Sequence, residues 1–259
     1  MKVLILAGGM GTRLAEETSV IPKPMVEIGG HPILWHIMKI YSQYGYNDFV
    51  ILLGYKGYII KEYFANYFLH SSDVTFNLRE NKMTIHEQHC EPWNVTLIDT
   101  GLYTMTGSRV KKAQKYTDNE PFMLTYGDGV SDINIKALVD YHKEHGKIGT
   151  LTSVQPEGRF GAIVSDDSGK ISAFKEKPQG DGSWINAGFF VFNPEIFDYI
   201  DDGDDIVFER EPLENLVADG ELHAYRHEGF WKCMDTLRDK QQLQNMCDEN
   251  NAPWITWKE

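Results

Sequence analysis

The sequence predicts an α/β protein with a mixed, mostly parallel central sheet, helices on both of its faces and two accessory β-hairpins. Three observations predict this. Strand and helix signals alternate through the first half of the 259 residues, which is the pattern of a sheet covered on both sides. The strand segments are near-continuous apolar runs, beginning with Val3-Leu4-Ile5-Leu6, as buried strands are. Two short alternating segments, each split by a turn signal, break that rhythm. Hydrophobic residues make up 42% and charged residues 24% of the chain, ordinary globular values that leave enough apolar material for a sizeable core. Nothing reads as a linker, so a single domain over residues 1–259 is the simplest organisation.

Taken in order, Lys2 to Leu6 reads as the first buried strand. Pro32 marks a helix start, because its fixed φ suits a first helical position; Ile33, Leu34, Ile37, Met38 and Tyr41 then give one apolar face, and Gly45 stops it. Phe49 to Leu53 is the next strand, followed by an aromatic-rich helix from Gly57 to Phe68. Val74 to Arg79 and Lys82 to Glu87 flank Glu80-Asn81 as a hairpin. Val95 to Asp99 reads as a strand, Arg109 to Tyr116 as a helix, and Pro121 to Tyr126 as a strand that runs into Gly127-Asp128-Gly129. A helix over Asn134 to His145 and a strand over Thr150 to Val154 follow. Phe160 to Ser165 and Lys170 to Lys175 flank Asp166-Asp167-Ser168-Gly169 as the second hairpin. Trp184 to Phe192 has strand character. Helices are expected near Pro194 to Ile200, Pro212 to Ala218 and Leu237 to Asp248, with short strands between them.

The functional signal sits behind the first strand. Leu6-Ala7-Gly8-Gly9-Met10-Gly11-Thr12-Arg13 supplies three glycines that let the main chain turn its N–H groups toward an anion, and an arginine whose planar fork clamps phosphate oxygens. A dinucleotide loop is excluded, since Leu14 stands where G-x-G-x-x-G needs its last glycine and no helix signal follows at once. A Walker loop is excluded because no G-K-[ST] occurs. Pro22-Lys23-Pro24 then offers a lysine whose flanking prolines hold the backbone extended, so its ammonium is aimed by a stiff segment. Asp128, between two glycines at the end of a buried strand, is placed at the rim of the sheet, where ligands of open α/β sheets gather. Such a carboxylate suits Mg²⁺, a hard cation that takes oxygen ligands. Lys177, in Glu176-Lys177-Pro178, repeats the logic of Lys23. Asp235 precedes a helix start and reads equally as a helix cap.

Composition narrows the partners. A formal net charge of −13 argues against a general nucleic-acid binder, which needs a basic face to replace counterions. A triphosphate would have to find local positive charge, for which Arg13, Lys23, Arg109, Lys175 and Lys177 are available. Cys90, Cys233 and Cys247 are odd in number and lack metal-ligand spacing, no signal peptide is recognised, and no apolar run approaches the about 20 residues of a membrane span. A reducing cytoplasm and no membrane partner are expected. The nine histidines show no ligand spacing.

LAGGMGTRL followed by PKPMVEIGGHPILWHI resembles the signature of the sugar-phosphate nucleotidylyltransferases, and LTYGDGV, GRFGAIV, FKEKP, WINAGFFVF and FWKCMDT continue the resemblance in family order along the chain. KEYFANYFLHSSDVTF and EPWNVTLIDTG resemble the branch that makes CDP-glucose from CTP and glucose 1-phosphate. The resemblance implies a Rossmann-like sheet of the nucleotide-diphospho-sugar transferase type. It also implies Mg²⁺ held jointly by Asp128 and Asp235, and a nucleotide enclosed by Leu6, Ala7, Gly8, Gly9, Met10, Gly11, Thr12, Arg13, Lys23, Thr104, Arg109 and Gly127. A sugar phosphate is implied at Glu176, Lys177, Asn186 and Gly188. Arg13, Lys23, Asp128, Lys177 and Asp235 are the expected catalytic set. Homo-oligomers and a setting in surface-polysaccharide synthesis are implied in the same way. UTP, dTTP or another sugar phosphate remain open as substrates. So does a binding-only regulatory subunit, although such a module has no need of the full set of metal and phosphate ligands.

Overall fold

Six of the apolar runs and one more polar strand become one sheet. The computed structural model describes residues 1–88, 90–156, 162–165, 170–175 and 183–257. The strands are β1 (Val3–Ala7), β2 (Asp48–Leu53), β3 (Asn94–Asp99), β4 (Phe122–Tyr126), β5 (Gly149–Val154), β6 (Ile185–Phe192) and β7 (Leu222–Arg226), in the order β7-β5-β6-β4-β1-β2-β3. β1 pairs in parallel with both β2 and β4, β2 with β3, and β5 with β7. Only β6 runs antiparallel to both of its neighbours, β4 and β5. The mixed, mostly parallel sheet expected from the sequence is the one observed.

The continuous apolar runs are explained by burial on both faces. Val3, Ile5 and Ala7 of β1 pack into one core with Phe49, Ile51 and Leu53 of β2 and with Phe189 and Val191 of β6. The alternate residues Leu4, Leu6, Val50, Leu52, Phe190 and Phe192 pack into a second core on the opposite face. Helix α1 (Ile33–Ser42) covers the first face through Ile33, Leu34, Ile37, Met38, Ile40 and Tyr41, joined by α2 (Gly57–Ala65) through Ile60. The second face is covered by α3 (Thr106–Lys112) through Val110. Further on, α4 (Ile135–His145) and α6 (Leu237–Asp248) return to the first face, and α5 (Glu211–Ala218) lies on the second. Burying one Leu, Ile or Phe is worth about 1.5–3 kcal/mol, so a strand apolar at every position is stable only where both faces are covered.

Several elements differ from the expectation, each for a local reason. The aromatic helix breaks at Asn66 (φ −110) and resumes as Tyr67–Ser71. The helix expected from Arg109 starts earlier, at Thr106, and ends at Lys112, leaving Gln114–Tyr116 as a 3₁₀ turn. Gly107 and Ser108 are poor helix starters by themselves, but their N–H groups donate to Ile206 O at 2.8 and 3.2 Å, so a distant segment satisfies the first turn. A 3₁₀ turn, Thr12–Leu14, and one turn of α-helix, Ala15–Thr18, follow the glycine loop directly. The absence of a helix there was therefore the wrong reason to exclude a dinucleotide loop; the missing third glycine still excludes it. Lys23 is not extended. It opens a 3₁₀ turn, Lys23–Met25, closed by Met25 N–H donating to Pro22 O at 2.8 Å, while Pro24 and Met25 are buried beneath it. The first hairpin forms from Ser72–Asn77 and Lys82–Gln88, and Ala162–Ser165 pairs antiparallel with Ile171–Lys175, while Phe160, Gly161 and the turn expected at Asp166 to Gly169 lie outside the described residues.

Candidate active site

The glycine loop leaves β1 at the end of the sheet where β4 also ends, and Gly127 N–H donates to Leu6 O at 3.0 Å to join the two strand ends. Gly11 sits at φ +62, a conformation open to glycine at little cost, and Leu14 N–H closes the turn on Gly11 O at 2.9 Å. Gly9, Met10, Thr12 and Arg13 are exposed along the loop. Beneath it lies Arg109, only 4% exposed. Its guanidinium donates to Leu53 O at 3.0 Å, Thr100 Oγ1 at 2.5 Å, Gly101 O at 2.8 Å, Gly8 O at 3.2 Å and Leu102 O at 3.3 Å. A Cβ on Gly8 would fall on this guanidinium. Arg109 therefore ties the loop to the ends of β2 and β3 and forms part of the cavity wall, with its terminal N–H groups already engaged by protein oxygens.

That cavity, of about 350 Å³, is lined by Leu6, Ala7, Gly8, Gly9, Gly11, Thr12, Arg13, Lys23, Thr104, Arg109, Gly127 and Asp128 among others. Every residue expected around the nucleotide is there except Met10, which stands 41% exposed at the loop tip outside the lining. A second cavity, of about 370 Å³, opens beside it and includes Asn186, Gly188, Trp231, Cys233 and Asp235; Arg13, Tyr126 and Asp128 line both.

At the junction four of the expected catalytic residues meet. Lys23 Nζ lies 2.7 Å from Asp128 Oδ2 and 2.7 Å from Asp235 Oδ1, and Arg13 Nη1 lies 2.8 Å from Asp235 Oδ2. Asp128 and Asp235 are brought together by a short antiparallel pair, Gly129–Ser131 with Trp231–Cys233, whose register sets Cys233 opposite Gly129. Met234 N–H then donates to Asp128 O at 2.8 Å. Asp235 does not cap α6: Thr236 does, in a reciprocal capping box with Asp239, which leaves the Asp235 carboxylate for the cluster. Burial opposes the charge on Lys23, but the Asp128 and Asp235 carboxylates outweigh it and hold its pKa above the ordinary lysine value. Burial likewise raises the Asp235 carboxyl, and Lys23 and Arg13 outweigh it to bring it below the usual range. The Cys233 thiol, half-buried beside Asp235 and Asp128, is pushed up to about 12 by burial and by those carboxylates.

The two carboxylates fit a divalent cation, for they converge on one point where a positive charge, the Lys23 ammonium, already sits. Two carboxylates with room for substrate oxygens are a common set for Mg²⁺. No group of three or more His, Cys, Asp or Glu is arranged to hold a metal ion among the described residues, so the rest of a coordination shell would come from substrate and water.

Asn186 and Gly188 line the second cavity. Gly188 has φ +78, and a Cβ there would fall on the Tyr126 ring. Glu176 and Lys177 lie outside the described residues, and of the Lys175 side chain nothing is described. Sequence reading missed Tyr126, Thr106, Trp231 and Glu209. Tyr126 adjoins the Gly-Asp-Gly signal, whereas Glu209 follows the irregular stretch before α5 and carries no local mark. Among the described residues no histidine lines either cavity: His36, for example, is buried, bonding Ile28 O at 2.8 Å and accepting from Trp254 Nε1 at 3.2 Å.

A mostly parallel sheet with a glycine loop and paired carboxylates at its strand ends defines a nucleotide-handling transferase. Residues 2–236 match the model of the Nucleotidyl transferase family, and the chain belongs to that family. It is 59% identical over 259 residues, covering both chains in full, to the glucose-1-phosphate cytidylyltransferase of Salmonella typhi. It is 44% identical over 257 residues to a probable glucose-1-phosphate cytidylyltransferase of Bacillus subtilis, covering 99% of this chain and 100% of that protein. A crystal structure of a putative glucose-1-phosphate thymidylyltransferase from Bacillus anthracis shares the fold with a TM-score of 0.70 at 18% identity, over 100% of this chain and 98% of that one. No helix among the described residues is long and apolar enough to cross a membrane.

Proposed function

We propose that this chain, as one nucleotidyltransferase domain over residues 1–259, transfers the cytidylyl group of CTP to α-D-glucose 1-phosphate, giving CDP-glucose and pyrophosphate. The observation that carries the chemistry is the Arg13–Asp235–Lys23–Asp128 cluster at the meeting point of two cavities. The full-length identity to cytidylyltransferases supports the choice of substrates. A phosphate oxygen of glucose 1-phosphate attacks the α-phosphorus of CTP in line, the bond from that phosphorus to the bridging oxygen breaks, and pyrophosphate leaves with the electron pair. Phosphate is already a nucleophile at neutral pH, so the protein needs to align two anions and stabilise the leaving charge.

Each residue has a part in that task. The main-chain N–H groups from Gly8 to Thr12 face the triphosphate, and Arg13 holds the β- and γ-phosphates. Its side chain is 72% exposed and anchored by one carboxylate, so it can swing to them. Lys23 balances charge along the triphosphate, and Thr104, Arg109 and Gly127 shape the base and ribose wall. Lys177 brings in the acceptor phosphate, while Glu176, Asn186 and Gly188 hold sugar hydroxyls, since carboxylates and amides pair with vicinal diols. Asp128 and Asp235 would hold Mg²⁺, which when bound would supply charge neutralisation and Lewis acidity toward the phosphates. The enzyme works in the cytoplasm as a homo-oligomer, without nucleic acid or membrane as partner.

The test is pyrophosphate release from each of CTP, UTP, dTTP, ATP and GTP with glucose 1-phosphate and Mg²⁺, repeated with EDTA. CTP-selective release that EDTA abolishes is expected. Release favouring another nucleotide would discard the substrate choice and keep the chemistry.

A further inference from the structure

One carboxylate in the wall of the second cavity has no part in the scheme above. Glu209 receives hydroxyls from two sides: Tyr126 Oη donates to its Oε1 at 2.5 Å, and Thr106 Oγ1 donates to its Oε2 at 2.8 Å. Tyr126 Oη in turn accepts from Asn186 Nδ2 at 3.2 Å, and Asn186 Oδ1 accepts from Gly188 N at 2.8 Å. On the other side, Thr106 Oγ1 accepts from Phe208 N at 2.9 Å.

The directions are forced. A main-chain N–H can only donate, so Gly188 fixes Asn186 Oδ1 as acceptor and Asn186 Nδ2 as donor. The single Tyr126 proton is then left for Glu209. By the same reasoning, Phe208 N–H sends the Thr106 proton to Glu209. Both chains end on a carboxylate, which accepts and has nothing to donate when ionised, and bonds to an ionised partner are the strong ones. Tyr126 lines both cavities, Asn186 the second only and Thr106 the first only.

We propose that Glu209 is a positioning residue that fixes the Asn186 amide in the sugar-side cavity through Tyr126 and ties it through Thr106 to the nucleotide-side wall. This rests on the assignment of the two cavities made above. Glu209 acts through these neighbours and is not itself offered as a group that touches the reacting atoms.

The experiment is steady-state pyrophosphate release with glucose 1-phosphate and CTP varied in turn. It uses the wild type, Glu209→Gln, Tyr126→Phe, their double variant, Thr106→Val and Thr106→Ser. Glu209→Gln and Tyr126→Phe should each raise the KM for glucose 1-phosphate about tenfold, as loss of one charge-assisted bond does, with the KM for CTP moving less than about twofold. The double variant should match the worse single one, because both cut the same chain. Thr106→Val should raise the sugar KM although Thr106 lies only on the nucleotide side, and Thr106→Ser should restore it.

Sugar KM values within about twofold of wild type for both Glu209→Gln and Tyr126→Phe overturn the proposal, as do additive defects in the double variant. Thermal midpoints are measured alongside. If Glu209→Gln unfolds, Tyr126→Phe, which removes one oxygen and keeps the ring, decides. A wild type inactive with every nucleotide overturns the assigned function instead. Calorimetric binding of glucose 1-phosphate to the same variants then decides for Glu209, and no binding by any of them overturns both.

Discussion

Arg13 and Lys23 illustrate how much a single side chain depends on its neighbours. Both are cations in the same cluster, yet the Arg13 side chain is 72% exposed and that of Lys23 only 12%. Arg13→Ala should therefore leave the fold intact and lower turnover more than it weakens glucose 1-phosphate binding, whereas Lys177→Ala should chiefly raise the KM for the sugar phosphate. The same pyrophosphate assay with each substrate varied checks this, and equal kinetic defects in both variants would remove the division of labour. At this scale the residues that meet in the cluster each carried a local mark in the sequence: glycines before Arg13, prolines around Lys23, glycines around Asp128; the prolines marked Lys23 but misjudged its backbone, which turns. It was silent about Glu209, whose partners Thr106 and Tyr126 stand 103 and 83 residues away, because no local pattern encodes a contact of that separation.

Elements carry two further expectations. Arg109 on α3 joins the glycine loop to the ends of β2 and β3 through five oxygens, so its removal should loosen all three. Arg109→Met is expected to cost about 3–5 kcal/mol, since several carbonyls lose a charged donor inside the protein; urea unfolding measures it, and a loss under 1 kcal/mol would make the tie dispensable. Helix α1 holds His36, which is 1% exposed and pushed down to about 4 by burial. An unfolded histidine takes up a proton near pH 6.5 and the folded one does not until about pH 4. Stability is therefore complete above pH 6.5 and is lost as pH falls through that window, by up to ~3 kcal/mol for this residue. Burial also lowers His142, and lowers His145 to about 4, near the end of α4. Unfolding free energy measured from pH 7 to pH 4.5 should fall steadily, and His36→Gln should flatten the slope; a slope unchanged by that substitution would remove His36 as its source. The strands β1 to β6 were legible because a buried strand must be apolar; β7, half-exposed along its length, was not, and the cap of α6 is Thr236 and not the Asp235 that the sequence suggested. The early start of α3 was not, because its first turn is satisfied by Ile206 O from another part of the chain.

For the molecule as a whole, the proposed reaction together with the net charge of −13 and the converging carboxylates predicts that binding of a triphosphate depends on added cation. Thermal stabilisation by CTP should be small in EDTA and larger with Mg²⁺, because a ligand stabilises the fold by its affinity for it. Equal shifts in both conditions would detach the two aspartates from nucleotide binding. Oligomerisation is tested by sedimentation of the full chain, with a monomer at micromolar concentration counting against the proposed assembly.

The sequence by itself determined the strand and helix order, the double-sided core and the glycine loop. These follow from hydrophobic period and from backbone freedom, both of which are local. The strand order β7-β5-β6-β4-β1-β2-β3 and the reversal of β6 were decided only in three dimensions. So was the meeting of Arg13 with Asp235 across 222 residues, of Lys23 with Asp128 across 105, and of Glu209 with the two walls it joins. A charged group declares its partner only when packing brings the two within reach, and in this chain it is the pairing of Gly129–Ser131 with Trp231–Cys233 that carries Asp235 to Asp128.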